Sequence, residues 1–189
     1  MVAADGGADL AKEIGLAPNV VVGDMDSLSM EGQRELAEAG CRFITHPVEK
    51  DQTDTHLAMQ WACGFGFTEI SVLMNRSGRL DHVLGIIWAA YGLVEKGVSV
   101  RFVDAQFEAV LVKGPASVDI RGPKKLLVSL LPLCDSADGI TLNGMKYSLK
   151  GESLRPGETR GISNETMDSE ARVEVGKGTL LVMVSGSTG

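Results

Sequence analysis

The sequence predicts an α/β fold: an open, mainly parallel sheet with helices on both faces, followed by a small antiparallel β-sandwich. Three observations predict it. Short apolar runs alternate with helical patterns through the first hundred or so residues. After about residue 110 the helical pattern stops and turn signals punctuate short runs. The early runs end in acidic, glycine-containing segments, at the strand ends where open α/β sheets bind ligands. The expected division is 1–110 for the α/β domain and 111–189 for the sandwich, with the boundary inside 105–115.

The elements follow in order. Val2-Ala3-Ala4 runs into Asp5-Gly6-Gly7, and Ala8 to Ile14 has a helical pattern. Val20-Val21-Val22 stops at Gly23, and Met30 to Ala39 is the second helix. Arg42 to Thr45 stops at His46-Pro47. Residues 52–63 place Leu57, Ala58 and Trp61 at helical spacing. Glu69 to Met74 and Val98 to Val103 are the remaining strands, short and apolar as doubly covered strands are. Between them, 81–96 sets Leu84, Ile87, Trp88, Tyr91 and Val94 on one face, which predicts a buried stripe. In the second half, Val110-Leu111-Val112, Leu126 to Leu131, Lys146 to Leu149, Val173-Glu174-Val175 and Thr179 to Val184 read as strands. Gly114-Pro115, Gly122-Pro123, Asn143-Gly144 and Pro156-Gly157 separate them as turns. Gly186 to Gly189 reads as a frayed tail.

Composition narrows the function. The chain has 189 residues, with 18 Lys and Arg against 25 Asp and Glu, a formal charge of −7. At 44% hydrophobic and 23% charged residues it is an ordinary globular mixture, which excludes disorder, collagen-like sequence and coiled coil. The acidic balance argues against nucleic acid as a partner. No stretch approaches the roughly 20 apolar residues of a membrane span. Met1 leads into Val-Ala-Ala-Asp without a basic segment or a long apolar one, so no signal peptide is expected. Cys41, Cys63 and Cys134 are too few and scattered for a disulfide framework or a metal site, so free thiols in the cytoplasm are expected.

The informative feature is where the carboxylates fall. Asp5 follows the first strand, and Gly23-Asp24-Met25-Asp26-Ser27 the second. Lys50-Asp51-Gln52-Thr53-Asp54 follows the third. Asn75-Arg76-Ser77-Gly78-Arg79-Leu80-Asp81-His82 follows the fourth. If one sheet carries all four strands, these junctions share a rim. Crowded carboxylates repel and shift one another's pKa, and a bound cation relieves them. Oxygen donors select Mg²⁺ or Mn²⁺ rather than zinc. Lys50, Arg76, Arg79 and His82 add positive charge, and carboxylates with Arg and Lys on a Gly-rich rim suggest a polyphosphate. Structural readings stand beside these. Asp51 can cap the helix at 52–63 with Asp54 as its box partner. Asp81 can serve a helix dipole, Asp24-x-Asp26-Ser27 can be an Asx-turn, and Gly6-Gly7 a plain turn. His46 and His56 read as surface residues. There is no GxxxxGK[ST] loop, GxGxxG after the first strand, GxSxG elbow or HExxH.

Six segments in order resemble the thiamine pyrophosphokinase family. Ala4-Asp5-Gly6-Gly7-Ala8 resembles its ADGGA, Gly23 to Ser27 its GDxDS, Lys50 to Asp54 its KDxTD, and Gly78 to His82 its GRxDH. Gly144-Met145-Lys146-Tyr147 resembles its GxKY turn, and Ser163-Asn164-Glu165 its SNE segment. The resemblance implies an α/β nucleotide-binding catalytic domain, a sandwich for thiamine binding and dimerisation, and a homodimer with thiamine at the interface. It implies that ATP and thiamine give thiamine diphosphate and AMP with Mg²⁺ held by the acidic cluster. Asp5, Asp24, Asp26 and Asp54 would hold the metal, and Asp24, Asp26, Asp54, Arg79 and Asp81 would be catalytic. Lys50, Asp51, Gln52, Thr53 and His82 would bind ATP. Tyr147, Ser163 and Asn164 would bind thiamine, whose positive charge an aromatic face favours.

The chain departs from the family pattern at Met74-Asn75-Arg76-Ser77, where small residues are usual. Ile86 stands where Asn is usual, and His56 where an acid is often found. A strand and a helix usually precede the ADGGA segment. Only Met1 to Ala4 precede Asp5 here, so the expectation is that this unit is missing or that the start is misassigned or trimmed. Two further readings remain: pyrophosphoryl transfer to another small alcohol such as a pterin, and a non-catalytic nucleotide- or thiamine-binding protein.

Overall fold

The computed structural model describes residues 1–74 and 79–186. Asn75, Arg76, Ser77 and Gly78, which include the first residue of the GRxDH-like segment, lie outside the described residues, as does most of the expected tail. The chain packs as two compact units. One comprises Met1–Thr68 with Arg79–Ala90; the other contains the strand that starts at Glu69 and everything from Tyr91 onward.

In the first unit β1 (Val2–Ala4), β2 (Val20–Gly23) and β3 (Arg42–Thr45) form a parallel sheet in the order β1-β2-β3. Val2 pairs with Val20 and Val20 with Arg42, so all three strands end at one level. Val21 and Val22 are fully buried on opposite faces of β2, which explains the unbroken apolar run. Val21 packs with Ala3 of β1, Ala8 of α1 (Gly7–Glu13) and Leu28 just ahead of α2 (Met30–Glu38), with Leu36 of α2 against them. Val22 packs with Val20 and Ala58, with Leu57 and Trp61 from α3 (Asp54–Gly64) against them. Helices therefore cover both faces. Each valine removed from water is worth roughly 1.5–3 kcal/mol. Ser29 caps α2 by accepting from Gly32 N–H at 3.0 Å. Thr53 caps α3, its Oγ1 accepting from His56 N–H at 3.3 Å. The cap of α3 is therefore Thr53 rather than Asp51.

The fourth helix, α4 (Leu80–Val94), corrects the expected stripe. Its buried residues are Ala90, Leu93 and Val94, whereas Leu84 and Trp88 are 48% and 54% exposed. Of the expected stripe, Val94 is buried and Ile87 and Tyr91 are half-buried, so the period is right and the burial fails at Leu84 and Trp88.

The second unit is a sandwich. Its six-stranded sheet runs in the order β11 (Asn164–Glu165), β8 (Leu127–Pro132), β13 (Thr179–Ser185), β6 (Phe107–Lys113), β5 (Ser99–Val103), β4 (Glu69–Leu73). Its four-stranded sheet runs β10 (Glu152–Leu154), β9 (Ala137–Asn143), β12 (Glu170–Val175), β7 (Ala116–Arg121). Val128, Val182 and Leu180 of one sheet meet Ile140, Val173 and Leu154 of the other in an aliphatic core. β4 and β5 are parallel to each other, but β5 pairs antiparallel with β6. Both thus join the sandwich sheet rather than β1-β2-β3. The fourth acidic segment therefore follows a strand of a different sheet from the first three, which corrects the expectation that one sheet carries all four strands. Residues 146–149 form no strand; only Met145 bridges, to Thr166. Among the described residues no helix is long and apolar enough to cross a membrane.

Candidate active site

Three carboxylates converge beyond the ends of β1 and β2. Oxygens of Asp5, Asp24 and Asp26 lie within 4.8 Å of one another. Asp5 is pinned by its own backbone, whose N–H donates to Val22 O at 2.9 Å. Its φ is +42° and that of Met25 is +67°. Both lie in the left-handed region that non-glycine residues pay to occupy, a form of strain that collects at functional sites. Asp26 N–H donates to Asp24 Oδ1 at 3.3 Å and Ser27 Oγ donates to Asp26 Oδ1 at 3.0 Å. The Asx-turn read from the sequence is thus present, and the cluster is present with it.

Lys50, ahead of α3, reaches into this cluster. Its Nζ donates to Asp24 Oδ2 at 2.6 Å and lies 3.1 Å from Asp54 Oδ1. Through that bond Lys50 holds the Asp24 carboxyl below the usual carboxylate range, and the Asp24 carboxylate raises the Lys50 ammonium in return. One cation does not satisfy the site. Asp5 is 8% exposed, and its Oδ1 is buried without a hydrogen bond, whereas the buried Asp54 Oδ1 has the Lys50 ammonium as its ion-pair partner. Native proteins rarely leave such acceptors bare.

Gly23, read from the sequence as a strand end and as the first residue of the GDxDS-like segment, makes the closeness possible. A Cβ there would stand 2.9 Å from Asp5 Cβ and 3.1 Å from Asp54 Cγ. The absent side chain leaves the space that the Asp5 and Asp54 side chains flank.

Asp51 is exposed and Gln52 is half-buried beside the cap. Arg79 and Asp81 are exposed and pair with each other, Nη2 donating to Oδ2 at 2.6 Å and Nε to Oδ1 at 3.2 Å. Arg79 thereby lowers the Asp81 carboxyl, whose Oδ1 also accepts from His82 N–H. Among the described residues, no hydrogen bond or ion pair joins Arg79, Asp81 or His82 to the acidic cluster. His56 Nε2 meets Gln60 Nε2 at 3.0 Å.

Tyr147 and Asn164 line a cleft of about 440 Å³ in the second unit, with Lys146, Leu149, Arg160 and Gly161. The Tyr147 side chain stands at the surface, 62% exposed. Lys146 Nζ lies 5.7 Å from its ring centre. Arg160 is held by Glu152 at 2.5 Å. Ser163 has φ +57° and is tied by its N–H to Ser129 Oγ at 3.1 Å; it is not among the residues lining the cleft. Sequence reading missed Arg160, which stands in no motif.

The family model described as thiamin pyrophosphokinase, catalytic domain, matches residues 1–102. The one described as thiamin pyrophosphokinase, vitamin B1 binding domain, matches residues 117–180. The thiamine pyrophosphokinase of Bacillus subtilis (strain 168) is 30% identical over 185 residues, covering 97% of this chain and 86% of that protein. Among solved structures, the Bacillus subtilis thiamine pyrophosphokinase superposes with a TM-score of 0.85 at 29% identity, covering 98% of this chain and 87% of that one. A thiamin pyrophosphokinase family protein from Enterococcus faecalis gives 0.82 at 29% identity, covering 99% and 88%.

Proposed function

The chain belongs to the thiamin pyrophosphokinase family, transferases that use ATP as co-substrate, and from that premise we propose that it moves the pyrophosphoryl group of ATP onto the hydroxyl of thiamine. In this reaction the hydroxyl oxygen bonds to the β-phosphorus as its proton leaves. The bond from the β-phosphorus to the α–β bridging oxygen breaks, and AMP departs with that oxygen. The products are thiamine diphosphate and AMP.

The observation that carries the reading is the buried, unpartnered Oδ1 of Asp5 inside a set of three carboxylates. The donor set is all oxygen and short of positive charge, which fits Mg²⁺ or Mn²⁺. Asp5, Asp24 and Asp26 would hold the ion, with Asp54 beside them. Bound there, a divalent ion supplies charge neutralisation to the transferred phosphates. Lys50 adds a second positive group at the same place. Arg79, aligned by Asp81, is free to turn its remaining donors to phosphate oxygens, and Asp51, Gln52, Thr53 and His82 complete the ATP-binding set. Tyr147 offers an exposed ring to a cationic heterocycle, an attraction of roughly 0.5–2 kcal/mol. The reading includes a homodimer, as the resemblance implies; light scattering on the purified chain measures it.

AMP release from ATP and Mg²⁺, with and without thiamine, is the test. Thiamine-dependent AMP is the expected result. Thiamine binding without AMP would favour a binding protein, and AMP release driven by a pterin alcohol but not by thiamine would overturn the substrate.

A further inference from the structure

Asn164 is 6% exposed, and nearly all of its hydrogen-bonding capacity is spent inside the protein. Its Oδ1 accepts from Tyr147 N–H at 3.0 Å and from Glu165 N–H at 2.9 Å. Its Nδ2 donates to Tyr147 O at 2.7 Å. An amide oxygen has two lone pairs and an amide nitrogen two hydrogens, so one N–H remains. The flanking ladder is in place as well: Lys146 N–H donates to Glu165 O at 2.9 Å, and Met145 bridges to Thr166. Residues 146–149 form no strand, and Gly144 turns the chain there at φ +72°. The side chain of Asn164 thus stands in for the missing ladder at Tyr147, gripping both backbone polar groups of that residue.

We propose that Asn164 is a positioning residue for the proposed thiamine cleft, acting by holding the Tyr147 backbone so that its exposed ring is presented in one orientation, rather than by contacting the substrate. The inference rests on the assignment of this cleft to thiamine. A ring that is 62% exposed has few packing neighbours to orient it, so its direction depends on the backbone beneath.

A double-mutant cycle tests it, using KM for thiamine, KM for ATP and kcat on the full chain. Tyr147→Ala and Asn164→Ala are each expected to raise KM for thiamine roughly 10-fold, a loss of about 1.4 kcal/mol. KM for ATP should stay unchanged and kcat should remain within about two-fold, since the lost binding is uniform between ground and transition states. In the double variant KM should rise no further than in Tyr147→Ala. Multiplying effects would show that Asn164 touches the ligand itself and would overturn the inference. So would an unchanged KM in Asn164→Ala beside a raised one in Tyr147→Ala. An unchanged KM in Tyr147→Ala would instead remove the cleft assignment, and the inference with it.

A ligand-free readout guards against loss of the fold. The chain has two tyrosines, Tyr91 and Tyr147, so a ring-labelled sample gives two assignable NMR signals. Asn164→Asp keeps the acceptor for both N–H groups and loses the donor to Tyr147 O. It should shift or broaden the Tyr147 signal and leave Tyr91 in place. A Tyr147 signal unaltered in the folded Asp variant counts against the brace.

Discussion

Asp5 and Asn164 are both buried polar side chains, 8% and 6% exposed, and the chain treats them in opposite ways. Asn164 makes three hydrogen bonds to backbone and has one N–H left. Asp5 carries a buried oxygen with no partner, in a cluster with Asp24 and Asp26, on a backbone at φ +42°. A satisfied buried amide shapes the protein. An unsatisfied buried carboxylate among others costs free energy in the folded chain and lowers that cost only when something binds. The cleft is a finished frame around an exposed ring, whereas the acidic rim keeps a buried oxygen that the proposed metal would satisfy. The same contrast runs through the glycines. A Cβ on Gly144 would stand 2.5 Å from Glu170 O, a clash with backbone. On Gly23 it would strike Asp5 and Asp54 side chains.

The largest expected effect breaks the rim. Asp24→Asn or Asp26→Asn removes a charge and an oxygen proposed to hold the metal; if the ion supplies several kcal/mol of charge stabilisation there, turnover should fall on the order of 100-fold or more. Circular dichroism should stay unchanged. Activity like that of the parent in either variant would remove the metal role. Next comes Gly23→Ala. The added methyl pushes the two carboxylates apart, an overpacking worth about 1–3 kcal/mol. The response of the melting temperature to Mg²⁺ should weaken with it. An unchanged response would mean that the spacing of Asp5 and Asp54 is not what the ion reads.

Lys50→Met sharpens the comparison at smaller scale. Lys50 is the charge that the rim supplies for itself. Without it the metal-free protein should melt lower, because four neighbouring carboxylates lose their counter-charge. The rise in melting temperature on adding Mg²⁺ should be larger than in the parent, because the ion no longer competes with an ammonium. Calorimetric scans at several Mg²⁺ concentrations decide it. A smaller rise would mean that Lys50 helps to hold the ion's ligands rather than standing in for it.

Local pattern made much of this legible. The strand at Val20 was readable because a strand buried on both faces needs an unbroken apolar run; those at Arg42, Glu69 and Ser99 were readable as short apolar-rich runs, although each carries exposed residues and is not doubly buried. The acidic segments were readable because they follow those runs at each turn. Pairing partners were not. Nothing in Glu69–Leu73 or Ser99–Val103 announces that β5 turns antiparallel to β6, a choice made by a contact with Phe107–Lys113 rather than by either strand alone. Trp88 shows the limit of periodicity, which identifies a helix but not which side of it is covered. Lys146 to Leu149 looked like a strand, and a side chain took the place of its ladder. β7 and β9 were missed because Ala116–Arg121 and Ala137–Asn143 carry few large apolar residues, and Gly139 interrupts the second with φ +69°. The acidic motifs were legible at the site; the shared Lys50 and the vacant Cβ of Gly23 needed coordinates.

The smallest expected effect tests whether the second unit's charges are as fully partnered as its amides. Glu95, just beyond α4, pairs through Oε2 with Lys113 at 2.8 Å and accepts through Oε1 from Thr179 Oγ1 at 2.9 Å. The bond from Lys113 first, and that from Thr179 second, hold its carboxyl below the usual glutamate value. A carboxyl lowered in the folded state stabilises fully above its unfolded pKa of about 4.3, and that contribution is lost as pH falls through the lower folded value. Melting temperature in the parent should therefore drop more steeply from about pH 5 to pH 3 than in Glu95→Gln. The difference should be a few degrees at most, because the two side chains are 38% and 41% exposed and water screens them. Added salt should shrink it further. The Mg²⁺ response should be the same in both proteins, since Glu95 pairs within the sandwich unit and not with the carboxylate cluster. Parallel acid slopes would show that the Lys113 and Thr179 bonds contribute nothing to folding. A changed Mg²⁺ response would mean that the two units do not divide the work as Asp5 and Asn164 divide it.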